Sequence, residues 1–106
     1  MRSQGLRLVV LVAVLCAHQV MAAGEPPDLE LGEYLSTECT TCHRPDAVNA
    51  GIPNIFGLPS VVFIQAMEQY RDGTRINQVM KNVARSLSVE EIAALAAYMQ
   101  QARSQY

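Results

Sequence analysis

The sequence predicts an all-α protein of three to five short helices, and three observations carry that prediction. Apolar residues recur at helical spacing, most clearly at Ile92, Leu95, Ala96 and Met99. No stretch shows the strict apolar–polar alternation of a half-buried strand. Ser88, with Glu91 three positions later and an apolar run behind it, has the form of a helix-starting capping box.

The chain begins with basic Arg2 and Arg7, an apolar run from Leu6 to Cys16, and small residues at Ala22 and Ala23. This is the pattern of a secretory signal peptide. The run is about 11 residues, against roughly 20 for a membrane-spanning helix, so no membrane span is expected in the mature chain. Cleavage after Ala22 or Ala23 is acceptable. We take residues 1–23 as the leader and 24–106 as one domain, exported to the periplasm. A lipidated Cys16 fits less well, because bulky Leu15 stands where a small residue is required. Removing the leader removes Arg2 and Arg7, so ten acidic side chains face six basic ones, a net charge of −4. That balance argues against nucleic-acid binding. A domain this small is near the size at which a core is marginal without help.

Asp28, after Pro26 and Pro27, is the expected N-cap of a first helix running towards Cys39, with Leu31, Tyr34 and Leu35 on one face. Gly32 within it costs about 1 kcal/mol relative to Ala and suggests a close backbone neighbour. From Arg44 to Pro59 the prolines and glycines forbid a long helix or a central strand. Ile52, Ile55, Phe56 and Leu58 are too apolar for a solvated loop, so this one should pack inward. Ser60 is the expected N-cap of a helix over Val61–Arg71, with Val62, Ala66 and Tyr70 on one stripe and Phe63 and Met67 on the next. Gly73 should end it. Ile76, Val79, Met80 and Val83 predict a further short helix. The last helix follows Ser88, with Leu87 placed to staple onto Ile92.

The stretch that carries chemistry is Cys39-Thr40-Thr41-Cys42-His43, a C-x-x-C-H sequence read as a c-type haem attachment site. Two thiols three positions apart on one side of a helical turn can each form a thioether to the same porphyrin. The next residue then places an imidazole under the iron. A thioredoxin-like redox pair would open a helix after a strand, and no strand pattern precedes Cys39. A zinc site needs four N or S ligands, but the remaining Cys and His, Cys16 and His18, lie in the leader. One motif predicts one covalent haem c, with His43 as an iron ligand. A carbonyl between Ala50 and Pro53 should accept the His43 Nδ1 proton and fix its tautomer. The protein part should frame a hollow around these residues and the second axial ligand. That position is filled by Met67, Met80 or Met99, since no other His remains, or it is left open or exchangeable. Periodicity does not choose among the three, because methionine at helical spacing is often core filler.

Together with C-x-x-C-H, the segments Ile52-Pro53-Asn54-Ile55, Tyr70 to Arg75 followed by Met80, and Glu91-Ile92 with Leu95-Ala96 and Tyr98 resemble a small class I cytochrome c. More narrowly, they resemble a haem domain of the cytochrome subunit of flavocytochrome c sulfide dehydrogenase. The resemblance spans roughly 31–99. It implies the class I fold, its helices wrapped around one haem, and it implies Met80 as the second axial ligand. It also implies a close crossing of the first and last helices, which Gly32, Tyr34, Leu95 and Tyr98 fit. The chain differs in having Lys81 and Ser86 where relatives often have glycine.

Haem iron with both axial positions filled by protein cycles between ferric and ferrous without binding substrate. The expected function is therefore one-electron transfer to or from a redox protein partner, with no catalysis by the chain itself. The narrower resemblance implies a flavoprotein sulfide dehydrogenase subunit as donor. A free shuttle to a terminal oxidase or another reductase is the alternative, and a haem peroxidase or gas sensor with a labile methionine a further one. Arg71, Arg75, Lys81 and Arg85 cluster in sequence around Met80, where they could steer an acidic partner or pair the haem propionates.

Overall fold

Four helices and no strand make up residues 24–46 and 51–102, the residues described by this computed structural model. They are α1 (Leu29–Thr40), α2 (Ser60–Asp72), α3 (Gln78–Ser86) and α4 (Val89–Gln101). The expected leader lies outside the described residues. No helix among them is long and apolar enough to cross a membrane.

Asp28 caps α1 as expected, its Oδ1 accepting from the Leu31 amide at 3.0 Å. The buried face differs from the expected one. Gly32 and Ser36 are buried and Leu35 and Cys39 pack against the core, whereas Tyr34 is 74% exposed. At about 100° per residue Tyr34 points away from Gly32, so a stripe centred on Gly32 excludes it. A Cβ at Gly32 would run into the Ala94 carbonyl and lie 2.8 Å from Tyr98 Cβ. Only glycine lets α1 and α4 approach this closely.

α4 is the spine of the molecule. The capping box is present in full: Glu91 N–H donates to Ser88 Oγ at 3.1 Å and Ser88 N–H to Glu91 Oε2 at 2.7 Å. Ile92, Leu95, Ala96 and Met99 are all buried, as their spacing predicts, and Ala94 joins them. Phe63 and Met67 of α2 pack on this face with Ile55 and Ala84. The principal helix pairs are α1 with α4, α2 with α4, and α2 with α3.

Ser60 does not cap α2. The extended Pro59 does so through its carbonyl, which accepts from Val62 and Phe63 N–H at 2.9 and 3.1 Å. Ser60 is the first helical residue and turns to α4 instead. Its Oγ donates to the Ala96 carbonyl at 3.2 Å and its N–H to Gln100 Oε1 at 2.7 Å. At the other end Gly73 adopts φ 87°, a left-handed conformation that glycine accepts readily, and ends the helix as expected. Asp72 accepts from the Thr74 amide at 2.7 Å, and hydrogen bonds from the Thr74 side chain first and its amide second hold the Asp72 carboxyl below the usual aspartate range.

α3 is capped by Asn77, whose Oδ1 accepts from the Met80 amide at 2.9 Å. The predicted apolar stripe is only half used. Met80, Val83 and Leu87 pack against the core and Ala84 is buried within it, whereas Ile76 precedes the helix and Val79 points outward, 94% and 68% exposed. Docking through Ala84 engages the C-terminal half of the helix and leaves its N-terminal edge overhanging. Lys81 and Ser86 lie inside this helix, where an ordinary side chain is at home.

Replacing Gly32 with Ala should destabilise the fold by about 1–3 kcal/mol, the usual cost of overpacking a tight contact. A lowered denaturant midpoint with an unchanged slope would register it, and an unchanged midpoint would mean that α1 and α4 cross less closely than described.

Candidate functional site

The last turn of α1 gathers the Cys and His residues around one atom. The Cys39 carbonyl accepts from both the Cys42 and the His43 amides, at 3.2 and 2.9 Å. A turn therefore continues past Thr40, where α1 ends, and brings Cys42 and His43 back beside Cys39. Cys39 is half-buried and Cys42 exposed, and both are free thiols. Burial pushes the Cys39 thiol up, a backbone hydrogen bond opposing the shift and the Glu38 charge adding to it. The Cys pair closes a helix packed in an all-helical core and does not open one after a strand, which is not the context of a thioredoxin-like pair.

His43 is held by the loop. Its Nδ1 lies 2.7 Å from the Pro53 carbonyl oxygen. A carbonyl can only accept, so Nδ1 carries the proton and Nε2 is left with its lone pair free to bind a metal. The sequence placed the acceptor between Ala50 and Pro53, and the structure assigns it to Pro53. The loop is anchored in turn on α4. Gly57, at φ 76°, donates its N–H at 2.8 Å to the Met99 carbonyl, one of the last-turn carbonyls that a helix cannot satisfy itself. Phe56 N–H donates to Asn54 Oδ1 at 2.9 Å, and Ile55 is buried in the core.

The three methionines separate by environment. Met67 and Met99 are sealed in the core, 4% and 0% exposed, among Phe63, Ile92 and Leu95. Met80 is half-buried at the core's edge on α3. Of the three, Met80 is the one whose thioether is not already enclosed by protein.

The basic residues that cluster in sequence do not form one free surface. Arg71 is turned inward, its Nε and Nη2 donating to the Ala84 carbonyl at 3.1 and 3.0 Å and Nη2 also to the Leu87 carbonyl. Arg75 lies over the Tyr70 ring, 5.3 Å from its centroid. Arg85 Nε reaches the Arg71 carbonyl at 3.4 Å. Sequence reasoning missed the role of Arg71, because the open carbonyls at the end of a helix are visible only once that helix is docked.

Two surface cavities are found among the described residues. One, of about 170 Å3, is bounded by Gly73, Arg75 to Gln78 and Lys81. The other, of about 330 Å3, lies between residues 25–28 and α4. Neither is bordered by Cys39, Cys42, His43 or Met80, so neither is the hollow expected around them. Residues 47–50, between His43 and Pro53, lie outside the described residues.

The donor set nevertheless fits a covalent c-type haem. Two free thiols stand one turn apart, and the adjacent imidazole is fixed by a backbone acceptor with Nε2 free.

No family model matches the chain. Curated relatives do. The cytochrome c4 of Pseudomonas aeruginosa is 35% identical over 84% of this chain and 53% of its own length. A thiosulfate dehydrogenase electron acceptor of Thiomonas intermedia is 30% identical over 88% of this chain and 41% of its own. The cytochrome subunit of sulfide dehydrogenase of Chlorobaculum tepidum is 32% identical over 72% of this chain and 70% of that subunit. The chain thus spans about half the length of the first two and most of the third.

The Pro53 contact predicts that Nδ1 of His43 carries a proton. Nitrogen-15 spectra should find the proton on Nδ1 and protected from solvent exchange, whereas a freely exchanging Nδ1 proton would show that the loop does not hold the ring.

Proposed function

This chain belongs to the class I c-type cytochromes, and from that premise we propose that it carries single electrons through one haem c tethered by Cys39 and Cys42 and ligated by His43 and Met80. The observation that carries the reading is the Pro53 carbonyl on His43 Nδ1, which leaves Nε2 of a residue next to two free thiols ready for iron. A bound haem supplies the ferric–ferrous couple. The chain's own residues do the rest. Cys39 and Cys42 would hold the porphyrin by two thioethers, which would keep His43 beside the iron at high effective concentration. Pro53 orients the imidazole through the Nδ1 hydrogen bond. Met80, half-buried on α3, would offer a soft neutral sulfur, a ligand that favours the ferrous state. Ile52, Phe56 and Leu58, half-buried, together with exposed Ile76 and Val79, are apolar side chains that the protein core leaves partly uncovered, surface suited to a porphyrin.

With His43 and Met80 both bound to its iron, a haem held here would exchange electrons without binding substrate. The chain acts after export, residues 1–23 serving as a signal peptide and 24–106 as the periplasmic haem domain. Its partner is a redox protein, and the sulfide dehydrogenase subunit, matched over most of its length, supports a flavoprotein donor. The match to thiosulfate dehydrogenase electron acceptors favours a second reading, a free shuttle that takes electrons from other enzymes of sulfur oxidation. Co-purification with a flavin-containing subunit separates the two.

Expressed in a host competent in cytochrome maturation, the protein should be red and keep its haem on a denaturing gel. In the ferric state Met80→Ala should abolish the sulfur-to-iron charge-transfer band, while Met67→Ala should retain it. Ready binding of carbon monoxide by the ferrous protein at neutral pH would replace the carrier with a ligand-binding haem protein.

A further inference from the structure

We propose that Arg71 is the positioning residue for Met80: its guanidinium clamps the C-terminal end of α3 to α2, and the clamp fixes the helix that presents the thioether. The inference rests on the reading of Met80 as an iron ligand. At nine residues, α3 is below the length at which a helix holds together alone. Its principal helix partner is α2, and its N-terminal edge, with Val79, is exposed. Beside the apolar packing of Ala84, Val83 and Leu87, a pair of attachments to the end of α2 locates it.

The first attachment is the short connection itself. Gly73 and Arg75 both donate N–H to the Gln69 carbonyl, at 3.1 and 3.0 Å, and Arg75 stacks over Tyr70. Asn77 then receives the Met80 amide. The second is Arg71, which donates to the Ala84 carbonyl from two nitrogens and to the Leu87 carbonyl. These carbonyls sit where a helix ends with its acceptors unsatisfied and its dipole negative. A fixed cation with forked donors serves both needs, and a lysine cannot reproduce the fork. The contact is part-buried, and Ala84 itself is fully buried. Ala84 lies one turn beyond Met80 on the same face. A rigid helix pinned at Ala84 therefore carries Met80 to a set depth and rotation. Released there, α3 keeps its leading connection and its apolar packing but loses the directional bonds that fix its end, and the thioether gains an alternative to its seat on the iron.

The test measures how often the ferric iron loses Met80, using added imidazole as a competitor for that position. Its apparent affinity rises in proportion to the fraction of molecules with Met80 dissociated. For Arg71→Met, loss of charge-assisted hydrogen bonds predicts a rise of about ten- to a hundredfold, with a weakened sulfur-to-iron band. Arg71→Lys keeps the charge without the fork and should fall between this variant and the native protein. Asp28→Ala, which removes the side-chain cap at the end of α1 far from Cys39, should lower the denaturation midpoint while leaving imidazole affinity within about twofold. Equal shifts in Arg71→Met and Asp28→Ala would reduce Arg71 to a general stabiliser and overturn the proposal, as would no shift in Arg71→Met. If Arg71→Met does not accumulate, Arg71→Lys is judged by the same criterion against Asp28→Ala. Met80→Ala keeps the two readings apart: an intact band and unchanged imidazole affinity in that variant would refute the ligand assignment, whatever Arg71 does.

Discussion

The close passage of α1 over α4 at Gly32 is the constraint on which the other placements depend. It sets where α1 ends, and the end of α1 is the turn holding Cys39, Cys42 and His43. The far end of the same α4 anchors the loop through Gly57 on Met99 and seats the start of α2 through Ser60 on Ala96 and Gln100. One helix thus gauges both the thiol-bearing turn and the loop that steadies its imidazole. A side chain at position 32 would push α1 away from the element that fixes the Pro53 oxygen, and the pairing of Nδ1 with that oxygen depends on both being in register.

The core that achieves this is small. Its described members are mainly Phe63, Met67, Ile92, Leu95, Met99 and a few alanines, with Ile55 reaching in from the loop. A chain of this length buries too little apolar surface to hold every element firmly. Hydrogen bonds between elements therefore take a larger share of the positioning. Several join helix ends or loops to carbonyls that a helix leaves open, as with Gly57 on Met99 and Arg71 on Ala84. Directional contacts of this kind locate a short element more sharply than apolar packing, which tolerates sliding.

Much of this architecture was legible in the sequence because it is written in local code. The Ser88–Glu91 box, the Asp28 cap, the Gly73 stop and the α4 stripe each depend on neighbours within a turn or two. Glycine at position 32 signalled a close approach for the same reason. Tyr34 was misjudged because a helical stripe read without its centre can be drawn on either side, and the centre here is a glycine that hydrophobicity does not mark. Ser60 was misread as a cap because α4, forty positions away, offers its hydroxyl and amide better partners than its own helix. At the site, the C-x-x-C-H pattern named the thiols and imidazole, while the identity of the carbonyl depended on the path of a loop. The inward turn of Arg71 was hidden among basic neighbours, since charge alone does not reveal a helix end in need of donors.

The acceptor that fixes His43 belongs to the main chain. Every residue type has that oxygen, so no exchange of side chain at position 53 can delete it. Orientation of the imidazole is in this way insulated from side-chain exchange at position 53, whereas rerouting the loop or displacing α1 would disturb it. The side chain at that position is free to vary while the acceptor facing Nδ1 stays the same.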